Sequence, residues 1–328
     1  MTEPANVTAQ FIPNAQGNRS FSTSIPNLQI AIDSTSLGAF KQCPRKYYYS
    51  IVLGFQPQSE SVHLTFGLLM HEAREKYDRL RFEGADHETA LDEVVYLAMV
   101  ATWNRELARP WVSGHSQKNR LTLIRSIIWY LDQYGDNDSL QTLVLANGKP
   151  AVELSFQFDS QLRFAFSGEP LILCGHLDRI ATLNDVPYIV DLKTTTHALD
   201  PRWFASFTPD NQFSLYTLAG RTAFRVPVES LIVDGVQLGV NFSRFSRGLV
   251  PRDKASLSEW YHGLGFWTAQ MEQCAVQDSW PQNDKACGMY GGCEFRGICS
   301  KSPGERQRAL ELNFRKRTWD PMLKRGDI

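Results

Sequence analysis

Two acids and a lysine stand on what read as adjacent strands. Asp178 lies in Gly175-His176-Leu177-Asp178-Arg179-Ile180, after the apolar run Leu171 to Leu173. Asp191 ends a second apolar run, Tyr188 to Val190, and Lys193 follows two residues on. Alternate residues of a strand share a face. Asp191 and Lys193 therefore point the same way, and a turn at Asn184-Asp185 brings Asp178 beside them. Two carboxylates and an ammonium on one sheet face suit a hard divalent cation, Mg2+ or Mn2+, that activates a water. A phosphodiester is a substrate that asks for such a nucleophile together with charge stabilisation, and the lysine would orient the water or offset the developing charge. For the triplet taken alone, a surface ion pair at two strand ends is the plainer reading. Glu153, on an earlier strand, adds an acid. Gln212 and Tyr216 lie four apart, so one helix face presents both. They fit either contact with a scissile phosphate and Lys193 or an ordinary half-buried helix face.

The elements that must position these groups fall into two textures. Ser34-Thr35-Ser36 reads as the N-cap of a short helix, ended at Cys43-Pro44 because proline interrupts a helix. Apolar residues at Phe66, Leu69, Met70, Ala73, Tyr77 and Leu80 make a helical stripe over about 64–80, with His71 on or beside it. Helices also fit 88–108, through Val95, Met99, Trp103 and Leu107, and 118–134, through Leu121, Ile124, Ile128 and Leu131. After the turn cluster Asn147-Gly148-Lys149-Pro150, strands follow at 151–158, 162–167, 171–182 and 187–194. A helix over 209–220, a strand over 231–242 and a helix over 257–276 complete an α/β pattern. Residues 1–30 are polar and read as a flexible arm. The helices at about 85–135 read as an insertion, about 150–245 as the core, and 301–328 as a basic tail.

The chain has 328 residues, 43% hydrophobic, with a formal net charge of −1, which rules out wholesale disorder. It shows no apolar run of about eighteen residues and no basic-then-apolar leader, so a cytoplasmic protein without membrane contact is expected. Basic groups gather at Arg244 to Arg252 and at Arg306 to Arg325, where a solvated surface and a nucleic-acid contact fit equally. Of six cysteines, Cys287, Cys293 and Cys299 lie close together near the C-terminus. In a large chain without a secretion signal, that grouping favours metal or cluster ligation over disulfides. Cys174 and Cys274 read as buried thiols. Trp203, Phe204 and Phe207 fit core packing somewhat better than stacking on bases.

Taken in order, these pieces resemble the RecB-type branch of the PD-(D/E)XK nuclease superfamily. The resemblance spans about 34–300. It comprises Ser34-x-x-Leu37-x-x-Phe40-x-x-Cys43-Pro44-x-Lys46-Tyr47, then Phe66-Gly67 with His71, then Glu153. Gly175-x-x-Asp178-Arg179, Asp191-x-Lys193-Thr194, Gln212 with Tyr216, and the cysteine tail follow.

The resemblance implies a restriction-endonuclease-like core, a central mixed sheet flanked by helices, with a helical insertion and a cysteine-ligated C-terminal staple. It implies His71, Asp178, Asp191 and the backbone carbonyl of Leu192 as ligands of Mg2+ or Mn2+. Lys193 would be the catalytic lysine, with Gln212 and Tyr216 in the motif after the core sheet and Glu153 an acid of less fixed role. His176 would be structural or face DNA. Cys43, Cys287, Cys293 and Cys299 would hold a 4Fe–4S cluster, as in CRISPR-associated RecB-like exonucleases and the AddB nuclease domain. The five-residue gap between Cys287 and Cys293 departs from the commoner two-residue gap and keeps Zn2+ as an alternative. The implied activity is hydrolysis of DNA, by an exonuclease on single strands or free ends, in recombination, repair, phage DNA metabolism or CRISPR adaptation. A helicase, recombination or CRISPR protein is the implied partner. A DNA-end-binding iron–sulfur subunit with little nuclease activity is the competing expectation.

Overall fold

The structure is a computed structural model that describes residues 19–59 and 61–322. Most of the expected arm, 1–18, and the end of the basic tail, 323–328, lie outside the described residues. In chain order the elements are β1 (Ala31–Ile32), α1 (Ser34–Gln42), α2 (Pro44–Tyr47), β2 (Phe55–Pro57), α3 (Val62–Phe82), α4 (His87–Ala101), β3 (Trp103–Asn104), β4 (Arg109–Pro110), α5 (Arg120–Tyr134) and β5 (Gln141–Thr142). There follow β6 (Val152–Arg163), β7 (Pro170–Leu183), β8 (Val186–Thr195), α6 (Pro201–Ala205), α7 (Asn211–Thr222), β9 (Ser230–Leu238), β10 (Ser243–Pro251), α8 (Lys254–Val276), α9 (Arg296–Cys299), α10 (Pro303–Asn313) and β11 (Phe314–Lys316). The class is mixed α/β, as expected. The chain divides into two compact units. Of the described residues, the first comprises 19–58, 157–175 and 261–322, and the second 59, 61–156 and 176–260.

The second unit is built on a mixed sheet. β7 pairs antiparallel with β8, β8 parallel with β9, and β9 antiparallel with β10. Asn184 and Asp185 join β7 to β8 with φ of +50° and +64°, the left-handed pair that a two-residue hairpin turn demands. Helices α3, α4 and α5 cover the sheet. Phe66, Met70, Ala73 and Tyr77 pack with Ala90, Val94, Ala98, Leu123, Ile127, Tyr130 and Leu131, against Leu192, Val236 and Leu238 of the strands. Asp86 caps α4 by accepting from the Thr89 amide, Asn119 caps α5 from Thr122, and Asp210 caps α7 from Phe213.

Several expectations are corrected here. The helix expected over 88–108 ends at Ala101, and Trp103–Asn104 pairs with Arg109–Pro110 as a short hairpin. Met99, Trp103 and Leu107 are exposed, because the small residues Ala90 and Ala98 with Val94 make the inward face. On α5 the inward face runs through Leu123, Ile127 and Tyr130, whereas Leu121 is 78% exposed. The strand expected at 162–167 is the end of β6 followed by a turn, where Gly168 donates to the Phe164 carbonyl.

In the first unit, β1 pairs parallel with the first half of β7, and β11 pairs antiparallel with β2. Tyr49, Phe55, Phe295, Ile298, Ala309 and Leu310 form a core. Residues 19–30, expected within the flexible arm, are tied down. Ile30 and Ala31 donate to the Ser20 carbonyl, and Leu28, Gln29 and Ile30 are buried. The cap of α1 is Asp33, which accepts from Ser36, one residue before the expected serine cluster. The basic tail beyond 300 holds α10 and β11.

Candidate active site

All the non-cysteine site residues expected from the sequence belong to the second unit. Strand parity does the first part of the positioning. Val190 and Leu192 pack into apolar clusters, so Asp191 and Lys193 take the alternate parity. The Lys193 Nζ lies 2.7 Å from Asp191 Oδ2 and donates to Gln212 Oε1 at 3.0 Å. Gln212 in turn donates to the Tyr216 hydroxyl at 2.8 Å and reaches Asp191 Oδ1 at 3.4 Å. The four-residue spacing on α7 thus holds Gln212 by Tyr216, and Gln212 holds the lysine.

Asp178 accepts from the Leu192 amide at 3.0 Å through Oδ2, and the same oxygen lies 3.1 Å from His71 Nδ1 on α3. Among the described residues, His71, Glu153 and Asp178 are the group of acid, histidine and cysteine side chains whose ligand atoms all lie within 4.8 Å of one another. Two carboxylates supply hard oxygen donors of the kind that Mg2+ or Mn2+ takes, and the imidazole adds a borderline nitrogen. Glu153 therefore joins the candidate ligands more closely than its sequence position implied, while Asp191 is engaged by Lys193 and Gln212. Glu153, the second residue of β6, has φ of +47°, in the left-handed region that strains a residue with a side chain.

Electrostatics tie the two halves of the site together. Burial opposes the His71 imidazolium, but Asp178, and more weakly Asp191, raise its pKa to about 9. Burial pushes the Asp178 carboxyl up, yet His71 and Lys193 together hold it below the usual carboxylate range. Asp191 is pushed up to about 6, by burial first; Lys193 pulls it down and the Asp178 charge pushes it further up. Two carboxylates so close each need a cation. Here His71 and Lys193 supply it.

The remaining expected residues sort as follows. His176 Nδ1 pairs with the Ser155 hydroxyl at 3.0 Å, a structural contact. Trp203 packs edge to face on Phe204 and on Phe207. They also fill space that a side chain at 235 or 248 would need: a Cβ on Gly248 would stand 2.1 Å from Phe204. Packing is therefore the better reading of these rings. Cys43, Cys287, Cys293 and Cys299 all fall in the first unit. The Asn283 amide donates to Cys43 Sγ at 3.4 Å, and the Cys293 amide to the Cys287 carbonyl. Among the described residues, no three of these thiols come within 4.8 Å of one another. Cys174 is fully buried beside Ala31 and Ile172, and burial holds its thiol well up.

Sequence reading missed the floor of the site. One cavity is lined by His71, Glu153 and Asp178 together with Arg74, Asp78 and Arg179. Arg74 pairs with Asp78 at 2.8 Å. Arg179 lies 3.8 Å from Asp78 and 3.7 Å from Asp138. Arg247 pairs with Asp138 at 2.5 Å and with Asp234 at 3.1 Å, and Tyr130 donates to Asp234 at 2.5 Å. The available signal was Arg74 and Asp78 breaking the apolar stripe of α3 one and two turns past His71.

A family model described as the PD-(D/E)XK nuclease superfamily matches residues 34–300. No curated protein matches the chain. Among solved structures, the chain is similar to one from Eubacterium rectale, provisionally named an exonuclease, at 14% identity and a TM-score of 0.48, covering 79% of this chain and 86% of that one. It is also similar to the crystal structure of SSO0001, at 13% identity and a TM-score of 0.35, covering 83% and 87%.

Proposed function

Because the chain belongs to the PD-(D/E)XK nuclease superfamily, we propose that it is a divalent-metal-dependent deoxyribonuclease of the RecB type, an exonuclease acting on single strands or free ends. The observation that carries this reading is Lys193, held between Asp191 at 2.7 Å and Gln212 at 3.0 Å, on the strand beside the His71, Glu153 and Asp178 donor set. His71, Glu153 and Asp178 would hold the cation, with Asp191 and the Leu192 carbonyl completing its shell. When bound, the cation supplies Lewis acidity toward a phosphate oxygen. Lys193 keeps its proton, because burial opposes the charge less than Asp191 and Asp178 favour it. It is thereby fixed as a donor to a water or to the developing phosphorane charge. Gln212 keeps the lysine from swinging away, and Tyr216 keeps Gln212 in place.

In this reading residues 31–300 are the nuclease domain, with the helices of about 85–135 as an insertion. Cys43, Cys287, Cys293 and Cys299 ligate a 4Fe–4S cluster. The thiolate-only donor set suits a 4Fe–4S cluster, with tetrahedral Zn2+ on the same four cysteines as the alternative.

The test is cleavage of end-labelled single-stranded DNA by anaerobically purified protein with Mn2+, beside Asp191→Asn and Lys193→Ala. Metal-dependent cleavage should fall by about 100-fold or more in each variant. Intact protein that binds DNA ends but cuts nothing with any divalent metal would overturn the nuclease reading in favour of a DNA-end-binding subunit.

A further inference from the structure

A second cluster of donors lies on α3, upstream of the candidate metal ligands. His63 stands in the first turn of this 21-residue helix, whose N-cap residue Ser61 makes no side-chain cap and whose first turn holds no acid. Its ring meets that of His115 edge to face, with centroids 5.2 Å apart. The His115 Nδ1 accepts from the amides of Gln117 and Lys118, at 3.2 and 3.0 Å. A neutral His115 therefore carries its proton on Nε2, as a donor. Lys118 completes the group. It is 4% exposed, and its ammonium lies 5.9 Å from the centre of the Phe66 ring.

These three residues make no ion pair among the described residues, and the Lys118 ammonium makes no hydrogen bond there. A largely buried lysine that meets no carboxylate among the described residues is costly. Burial alone lowers the Lys118 pKa. Burial, then the neighbouring Lys118 and His115, lowers that of His63. One ammonium and two imidazole donors, beside the N-terminal amides of α3, form a place that suits an anion.

The position is informative. Gln117 is anchored to the Leu238 carbonyl at the end of β9, and Gly67, one turn past His63, faces Thr194 next to Lys193. His63 precedes His71 by eight helical residues, about 12 Å along the axis at 1.5 Å per residue. That is a span of a few nucleotides.

We propose that His63, His115 and Lys118, gathered at the N-terminus of α3, form a phosphate-binding subsite that grips the backbone of a nucleic-acid strand a few nucleotides from the bond being cleaved. The proposal rests on the nuclease reading for its ligand, and the subsite's own chemistry is that of phosphate.

The test uses the full chain and a fluorescein-labelled oligothymidylate, with binding measured in metal-free buffer so that no cleavage intervenes. Lys118→Met keeps the apolar stem and removes the charge. It should weaken binding about tenfold and flatten the dependence of log affinity on log salt by about 0.7. In the cleavage assay it should raise KM more than it lowers kcat. Lys118→Arg should restore affinity, and melting curves should show Lys118→Met as stable as the parent protein. Parent-like affinity and salt slope in Lys118→Met would overturn the subsite. If the parent protein binds no oligonucleotide at all, the nuclease reading fails separately, and tripolyphosphate calorimetry decides the subsite. Binding by the parent but not by Lys118→Met upholds it, and no binding by the parent sinks it.

Discussion

Glu153 holds a backbone angle, φ +47°, that costs of order 1 kcal/mol or more for a residue with a side chain. Such a conformation survives where it places a group that matters, here a carboxylate facing His71 and Asp178. Asparagine tolerates this region better than glutamate. Glu153→Asn should leave the metal-free protein melting at the same temperature or slightly higher, while calorimetry shows Mn2+ affinity reduced at least tenfold. A clear fall in metal-free stability with unchanged Mn2+ affinity would make Glu153 a structural acid. At this scale the sequence was readable where parity alone decides geometry. Asp191 and Lys193 had to share a face, and Gln212 and Tyr216 had to share another. The role of Glu153 was not readable, because a left-handed angle in a strand leaves no mark in spacing.

Helix α3 serves two tasks with one face. His71 reaches Asp178 and Glu153, and Arg74 and Asp78 reach a buried set of charges completed by Arg179, Asp138, Arg247 and Asp234. Asp138 and Asp234 come from chain segments far from α3, so no local periodicity announces them. The same limit explains α4 and α5, whose inward faces are marked by alanine, threonine and serine as much as by large apolar residues. Asp138 is the hinge of this set. Burial raises its pKa, but the hydrogen bonds and charge of Arg247, with Arg179, hold it below its ordinary value. A depressed carboxylate contributes stability that is present above its unfolded pKa, near 4, and is lost as pH falls through the folded value. Urea unfolding of the parent should therefore show stability declining as pH drops below about 4. Asp138→Asn should lose about 3–5 kcal/mol at neutral pH, because Arg179 and Arg247 each lose one of their carboxylate partners, and should show a flatter decline in acid. An Asn variant as stable as the parent would show that Asp78 and Asp234 suffice.

At the scale of the molecule, each candidate site is confined to one compact unit, the acids and lysine in the second and the four cysteines in the first. No helix of the described residues is long and apolar enough to cross a membrane. The proposed cluster makes a direct prediction. Anaerobic protein should be brown, absorbing near ~400 nm, and Cys43→Ser should remove the band and destabilise the fold by about 2–4 kcal/mol, as other long-loop cross-links do. Colourless protein with one zinc per chain would replace iron by zinc. The interleaving of the units also has a consequence for synthesis. The first unit needs both 19–58 and 261–322, and β2 finds its partner β11 only at residues 314–316. At about 5–20 residues per second, the early segment waits on the order of 10–40 s for the late one to emerge from the ribosome. Cys43, buried in the folded unit, spends that interval as an unsheltered thiol, open to oxidation until the late segment arrives.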